Sequence, residues 1–331
     1  MEKSTACKSS ALPTVSAIAL CYNHERFLNE CLESIKRQNY PNLQIIIVDD
    51  GSKDASPVMI RRWIEQNPSL DVTFLHNGQN LGVCKTLNRA LSLAQGKYIS
   101  MIATDDVWEA DKLTQQVQAM ESLPEKTGVL YSDAFQIDES GSRLPRRFIE
   151  SHREFNRMPE GDIREILWQG NFIPAMTTLI RCSVFERVGM YDETLFYEDW
   201  EMWLRISEHY HFAFFPRPTA KYRVVRNSIS KSSVDKMTLA NELIFIKYLL
   251  KKGVPKKLRN QGFNFAVRRA YRDRMAARDA SGELLFKLAR IYKSPRLIYA
   301  CLLYICGLEY RHYEKTLGRA KRMSQFVRRE R

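Results

Sequence analysis

The sequence predicts an α/β fold, a mainly parallel central sheet flanked by helices, with a helical extension at its C-terminal end. Three observations carry that expectation. Short β-rich apolar runs alternate with segments of helical period along the first 130 or so residues, and two of those runs stop on adjacent aspartates. Neither GxGxxG nor GxxxxGK[ST] occurs, so the glycine-rich backbone cradles that hold phosphates in dinucleotide-binding and P-loop folds are missing.

The first β-like run covers residues 15–20 and is turned by Cys21-Tyr22-Asn23-His24. Phe27, Leu28, Cys31, Leu32 and Ile35 then share one helical face, with Glu30, Glu33, Lys36 and Arg37 on the other, and Pro41 stops the helix. Residues 43–48, LQIIIV, are almost wholly apolar, as befits a central strand covered on both faces; the run ends at Asp49-Asp50-Gly51-Ser52. A helix with Val58, Met59, Arg62 and Trp63 in phase follows, then a strand at 72–75. Asn80-Leu81-Gly82 turns into a helix over 83–94 that Gly96 is expected to end. A fourth strand, within 98–103, reaches Thr104-Asp105-Asp106. A helix over 111–120 and a strand over 129–135 continue the pattern, which predicts a doubly wound sheet with right-handed crossovers.

Ligands of open α/β sheets gather at the carboxyl ends of strands. Two adjacent acids there suit Mg²⁺ or Mn²⁺, hard cations that take one or two carboxylates with phosphate oxygens and water. Equally open from these residues alone is a cap, with Asp105 and Asp106 turning the chain into a helix starting at Trp108.

Composition sets the class. The chain has 331 residues, 44% hydrophobic and 27% charged, enough for a sizeable core. Its net charge of +13 is unevenly spread: residues 251–331 hold 22 Lys+Arg against 6 Asp+Glu, whereas residues 1–250 hold 29 against 32. The basic character is therefore foreign to the acidic strand ends. Seven cysteines (Cys7, Cys21, Cys31, Cys84, Cys182, Cys301, Cys306) form no CxxC pair and fit free thiols in a reducing compartment. No signal-peptide core stands at the N-terminus, and no apolar run reaches the ~18 to 20 residues of a membrane span. A cytoplasmic protein is expected, peripheral on the inner face of the plasma membrane if its tail binds lipid.

Taken in order, Val15-Ser16-Ala17-Ile18, Tyr22-Asn23, Ile47-Val48-Asp49-Asp50-Gly51-Ser52-Lys53-Asp54, Asn80-Leu81-Gly82, Asn88-Arg89-Ala90, Gly96-Lys97-Tyr98-Ile99 and Ala103-Thr104-Asp105-Asp106 resemble the family 2 glycosyltransferases of the GT-A fold. Each piece is weak alone; their order and spacing are specific. The resemblance implies an inverting transfer of a sugar from a nucleotide-diphosphate donor, UDP being the expected nucleotide, to a saccharide or lipid-linked saccharide acceptor in surface polysaccharide assembly. By the same resemblance Asp50 binds the nucleobase and Tyr22 stacks near it; a half-buried core aromatic is the bland account of Tyr22. Asp106 would ligate the cation, and Asp105 would reach the ribose or a metal-bound water. Thr104 stands where the family usually has another acid, which leaves the second protein ligand open.

Downstream, Gly170-Asn171-Phe172-Ile173-Pro174 and Thr177-Thr178-Leu179-Ile180-Arg181 resemble the family's acceptor-side segment. Phe196-Tyr197-Glu198-Asp199-Trp200 resembles the segment that carries the general base, which maps to Asp199; a charged helix cap is the compatible structural account. Trp200 and Trp203 are expected at core and cleft. Tyr222, Arg223, Asn227 and Ser230 match a further family segment, but Val225 or Arg226 stands where a histidine is common, and Arg226 is assigned to the diphosphate in its place. Residues 138–158, rich in arginine, read as a loop, and Asp133 as either a cleft or a turn residue. None of the six histidines has zinc spacing.

The expected organisation is a disordered stretch at 1–12, a GT-A domain at 13–232 and a basic helical extension at 233–331. Within the extension, an apolar run at 297–308 beside the cationic residues 311–331 fits an interfacial helix on anionic lipid. A helical cap with a loose basic end fits as well; a nucleic-acid-binding tail ranks last for want of a motif. A non-catalytic binding or scaffold protein of the same fold is the competing functional class, on account of the missing histidine.

Overall fold

The structure is a computed structural model that describes residues 12–225, 240, 241, 243, 244, 247, 248, 253–275, 285, 286, 288–290, 293 and 295–305. The chain divides into two compact units, Met1–Met237 and Thr238–Arg331.

The first unit is built on a mixed, mostly parallel sheet of nine strands in the order β3-β2-β1-β4-β8-β6-β9-β5, with β7 also on β6. β1 (Val15–Cys21), β2 (Leu43–Asp49), β3 (Asp71–His76) and β4 (Tyr98–Ala103) are mutually parallel. β8 (Leu179–Arg181) runs antiparallel between β4 and β6 (Thr127–Ile137), and β9 (His211–Arg223) lies parallel to β6. Ile45, Ile46, Ile47 and Val48 on β2 are all buried, as its unbroken apolar run requires. α1 (Leu28–Lys36) turns Leu28, Cys31, Leu32 and Ile35 into the same core. Each such aliphatic side chain contributes about 1.5–3 kcal/mol.

Several expectations are corrected. In α2 (Ser56–Gln66) the buried face is Pro57, Ile60 and Trp63, while Val58 is 68% exposed. Pro57 in the first turn sets the phase, and the Trp63 indole N–H fixes it by donating to Glu33 Oε1 at 2.8 Å. α3 (Val83–Leu91) stops well short of Gly96. That glycine serves a close approach: a Cβ there would sit 2.6 Å from the Ser16 nitrogen. No helix opens at Trp108. Val107–Trp108 is instead β5, antiparallel to β9, and α4 (Lys112–Glu121) begins after it, so Asp105 and Asp106 cap nothing. Residues 138–158 are not a plain loop: they contain β7 (Arg143–Arg147) and α5 (Phe148–His152). Trp200 and Trp203 are both in the core, so neither faces a cleft.

Lys112 is wholly buried and, having no carboxylate partner, gives its ammonium to Ser100 Oγ at 2.7 Å, Gln116 Oε1 at 2.7 Å and the Thr178 carbonyl at 3.3 Å. Burial holds its pKa well below that of a free lysine. These bonds tie β4 and α4 to the turn before β8.

In the second unit, α9 (Lys256–Met275) and α10 (Pro295–Ile305) share an apolar core of Phe263, Val267, Ala270, Leu285, Leu297, Ala300 and Leu303. The main face of the expected interfacial run is therefore spent inside this unit. Ile298 and Leu302 are left exposed. Among the described residues no helix is long and apolar enough to cross a membrane. Leu239, Ile246, Leu249 and residues 311–331 lie outside the described residues.

Candidate active site

Strand register puts the candidate residues on one rim. β1 pairs with β2 on one side, Cys21 opposite Asp49, and with β4 on the other, Leu20 opposite Ala103. Neighbouring strands are about 4.8 Å apart, so Tyr22, half-buried at the end of β1, stands between Asp50 and the Thr104-Asp105-Asp106 corner. The turns after β1 and β2 are laced together. Asn23, in the left-handed region at φ 56°, accepts the Lys53 N–H at 2.8 Å, and its own N–H donates to Ser52 Oγ at 2.8 Å. Glu25 N–H donates to Asp54 at 3.0 Å, and Glu25 in return accepts the Ala55 N–H at 2.8 Å.

The first acid pair is occupied by the protein itself. Asp50 is buried and accepts four bonds: Asn77 Nδ2, the Leu81 N–H and Thr86 Oγ1 at 2.8 Å each, and the Gly82 N–H at 3.0 Å. Four is about the capacity of a carboxylate. Three of these donors meet Oδ1 and only the Gly82 N–H meets Oδ2, which leaves Oδ2 the oxygen with room for a further donor. Asp49 accepts the Gly51 and Ser52 N–H groups and His76 Nδ1 on one oxygen, while its buried Oδ1 has no partner.

The second pair is different. Asp106 is 3% exposed and receives one bond, from the Arg223 N–H to Oδ1 at 2.8 Å. The Arg223 guanidinium bypasses the carboxylate and donates to the Asp105 carbonyl at 2.8 Å, the Asp138 carbonyl at 3.1 Å and Glu30 at 2.5 Å. Burial, reinforced by the neighbouring Asp105 charge, pushes the Asp106 carboxyl well above the usual carboxylate range. Asp105 is partly exposed, and His24 Nε2 stands 3.8 Å from its Oδ2 while His24 Nδ1 meets Thr104 Oγ1 at 3.0 Å. No lysine or arginine among the described residues forms an ion pair with either acid. Two carboxylates without an ion-pairing lysine or arginine among the described residues are hard oxygen donors that would fit a divalent cation, with phosphate oxygens and water as its further ligands. They do not make a self-sufficient protein cage, since no three His, Cys, Asp or Glu side chains among the described residues gather as one.

After the short helices α6 (Arg164–Leu167) and α7 (Cys182–Val188), Asp199 opens α8 (Asp199–Ser207). Its Oδ1 accepts the Trp200 N–H at 2.6 Å and its Oδ2 accepts Asn171 Nδ2 at 2.7 Å. Asn171 Oδ1 takes the Ile173 N–H at 3.1 Å, which fixes the amide with its donor toward Asp199. Burial raises Asp199 to about 6, against the pull of those two bonds. Burial and the Asp199 charge raise Glu198 to about 8.

The segment leading to α8 is tied to the elements below it. Asn88 on α3 donates to the Tyr191 carbonyl at 3.0 Å and accepts the Tyr191 N–H at 2.9 Å, and the Cys84 thiol meets the Leu195 carbonyl at 3.6 Å. The Tyr191 hydroxyl reaches Met101 of β4 at 3.4 Å. The same α3 follows the turn that Asp50 holds. Asp133 accepts the Ala134 and Ile149 N–H groups and so braces α5. Arg226 lies outside the described residues.

Three residues escaped the sequence reading. Arg223 appeared only as half of a Tyr-Arg pair, Asn171 as one letter of an acceptor-side segment, and His24 as a turn residue. Only the helical phase and the turn spacing next to Tyr22 pointed toward His24. Nothing local pointed to Arg223, whose hydrogen-bond partners are 85 or more residues away.

A mostly parallel sheet with an acid-bearing rim above β1, β2 and β4 defines the GT-A class of fold. The mannosyltransferase PcManGT from Pyrobaculum calidifontis, in complex with GDP-Man and Mn²⁺, superposes with a TM-score of 0.58 at 19% identity, over 89% of this chain and 85% of that one. S. aureus TarS 1-349 with UDP-GlcNAc gives 0.58 at 16% identity, over 90% and 93%. At such identities the likeness shows the fold.

The family follows from sequence: the profile of glycosyl transferase family 2 matches residues 16–189, and the chain belongs to that family. Glycosyltransferase RT0329 of Rickettsia typhi, itself uncharacterised, is 28% identical over 202 residues, or 60% of this chain. TuaG of Bacillus subtilis, whose name assigns it to teichuronic acid biosynthesis, is 25% identical over 221 residues, covering 66% of this chain and 82% of TuaG. The match spans 61% and 58% of the length of two Rickettsia relatives.

Proposed function

We propose that the chain is an inverting, metal-dependent glycosyltransferase that moves a sugar from a nucleotide diphosphate, UDP first among the candidates, to an acceptor hydroxyl in surface polysaccharide assembly. The observation that carries this reading is Asp106, a buried carboxylate that among the described residues is hydrogen-bonded by one backbone N–H and forms no ion pair. Tyr22 offers a flat face to the base, and Asp50 holds the turn at Leu81-Gly82 beside it. Asp106, with Asp105 adjacent, holds the cation, which supplies positive charge to the departing diphosphate.

Asp199 takes the acceptor proton as the acceptor oxygen bonds to the anomeric carbon and the bond from that carbon to the diphosphate oxygen breaks. Asn171 keeps one Asp199 oxygen oriented and favours its ionised form. The nucleotide-sugar neighbours and TuaG support the donor class and the polysaccharide setting. Ile298 and Leu302, exposed beside the strongly basic C-terminal sequence, support attachment to an anionic membrane surface.

The test is nucleotide release from a panel of UDP- and GDP-sugars with Mn²⁺, with and without acceptor extracts. Asp199→Asn is expected to retain donor binding and lose transfer. A wild-type chain that binds no nucleotide sugar in the presence of Mn²⁺ removes the proposal.

A further inference from the structure

β7 is an edge strand, paired to β6 and to no other described strand. Its Arg143, Arg146 and Arg147 are exposed, and none forms an ion pair with a carboxylate among the described residues. Strand register carries them toward the acidic corner. Arg143 lies opposite Ile137 of β6, and Ile137 lies opposite Arg223 of β9, whose N–H holds Asp106. The other end leads toward the base. α5 follows β7 directly, and its His152 lies close enough to Asp199 to act on its charge. Arg153 then bonds the Ile166 carbonyl at 3.2 Å and Gln169 Oε1 at 2.7 Å, in the segment that leads to Asn171.

Arg143 and Arg147, four apart on a strand and so on one face, share a single ring. Their Cζ atoms stand 3.4 and 5.6 Å from the Phe135 centroid. The ring fixes two like charges beside each other. Glu150 meets Arg147 at the backbone, its carboxylate accepting the Arg147 N–H at 3.2 Å, and forms no ion pair with either guanidinium among the described residues. An anion between the two guanidinium groups would relieve it.

We infer that β7 and α5 form the acceptor subsite and that the acceptor is an anionic saccharide, bearing phosphodiester or carboxylate groups. The inference rests on the transferase reading above. The donor diphosphate is met at Asp105 and Asp106, and the arginine-bearing strand runs from beside that corner through α5 to the segment that holds Asn171, so it borders the other substrate.

The experiment uses the full chain with Mn²⁺ and UDP. Binding is measured to oligogalacturonate (carboxylate), to a glycerol-phosphate oligomer (phosphodiester), to neutral malto-oligosaccharide and to phosphatidylglycerol vesicles. The variants are Arg143→Gln/Arg146→Gln/Arg147→Gln and, as an equal charge loss on α1 and α2, Arg37→Gln/Arg61→Gln/Arg62→Gln. The β7 variant is expected to bind at least one anionic oligomer about tenfold more weakly, the control to match wild type, and the neutral oligosaccharide to bind neither well.

Which oligomer responds distinguishes carboxylate from phosphodiester. Wild-type affinity in the β7 variant overturns the inference, as does equal affinity for the neutral sugar. A loss confined to vesicles overturns it in favour of a lipid-facing strand. Hydrolysis of a panel of UDP-sugars by the same protein preparations with Mn²⁺, in parallel samples without UDP, separates the two readings. Absent hydrolysis in wild type sinks the transferase reading and the acceptor role with it; intact hydrolysis with unchanged oligomer binding in the β7 variant sinks the acceptor subsite alone.

Discussion

The two strands that flank β1 both lead into Asp-Asp, and the structure uses the two pairs in opposite ways. At the end of β2, Asp50 is surrounded by donors from its own chain, four bonds that fix the turn entering α3. At the end of β4, Asp106 is equally buried and meets a single N–H. A carboxylate left short of donors is held above its ordinary pKa, and a cation entering the corner would restore its charge. The same dipeptide thus serves as scaffold in one place and as unmet demand in the other.

Swapping the two roles is the most direct way to break this comparison. Asp106→Asn is expected to lower donor turnover by about 10²- to 10³-fold and to abolish the rise in melting temperature on adding Mn²⁺ with donor. Its fold should persist, since an amide oxygen still accepts the Arg223 N–H. A larger loss from Asp50→Asn than from Asp106→Asn would invert the assignment. Asp50→Ala is expected to be the greater structural insult, at about 3 kcal/mol in urea unfolding, because it orphans several buried donors at once.

A smaller effect sharpens the contrast with the third acid pair. With Asp199 at about 6, transfer should climb with pH and level off above that value, because the base must be ionised. Asn171→Ala removes a bond to the ionised form and should move the rising limb up by about one pH unit. Rates followed from pH 5 to 8 decide it; an unmoved limb shows that Asn171 does not act on the base.

The least effect concerns stability. Glu198, at about 8 in the fold, keeps a proton that the unfolded chain releases near the ordinary glutamate value. The native state therefore binds more protons through that interval, and stability falls as pH rises across it. Glu198→Gln should flatten the fall, as read from melting temperatures at pH 5 and pH 8.

Much of the first unit was legible because local patterns there agree with the final packing. The β2 run could only be a doubly covered strand, and the turns after β1, β2 and β4 carried their polar residues in plain sequence. The failures share a cause. α2 was read in the wrong phase because Val58 and Met59 are apolar, while Pro57 and a Trp63–Glu33 bond decide its orientation. The acids at 105 and 106 could be taken for a cap because nothing local reveals that residues 107 and 108 pair with β9. Residues 138–158 looked like loop because their strand is held by β6 and by arginines stacked on Phe135, contacts that composition does not encode. At the site, the strand-end acids stood out in the sequence and the resemblance to the family pointed to Asp199, whereas the contacts of Arg223 and Asn171 depend on long-range geometry that neither reveals.

The reach of Arg223 has a consequence for synthesis. The backbone donor that meets the Asp106 carboxylate comes 117 positions after it in the chain. A ribosome that has released only the first 200 residues has made Tyr22, Asp50, Asp106 and even Asp199, yet the nascent chain lacks the clasp that sets the corner. Competence should thus arrive abruptly, with the emergence of the last residue of β9, and fragments truncated before it should be inert toward cation and nucleotide alike.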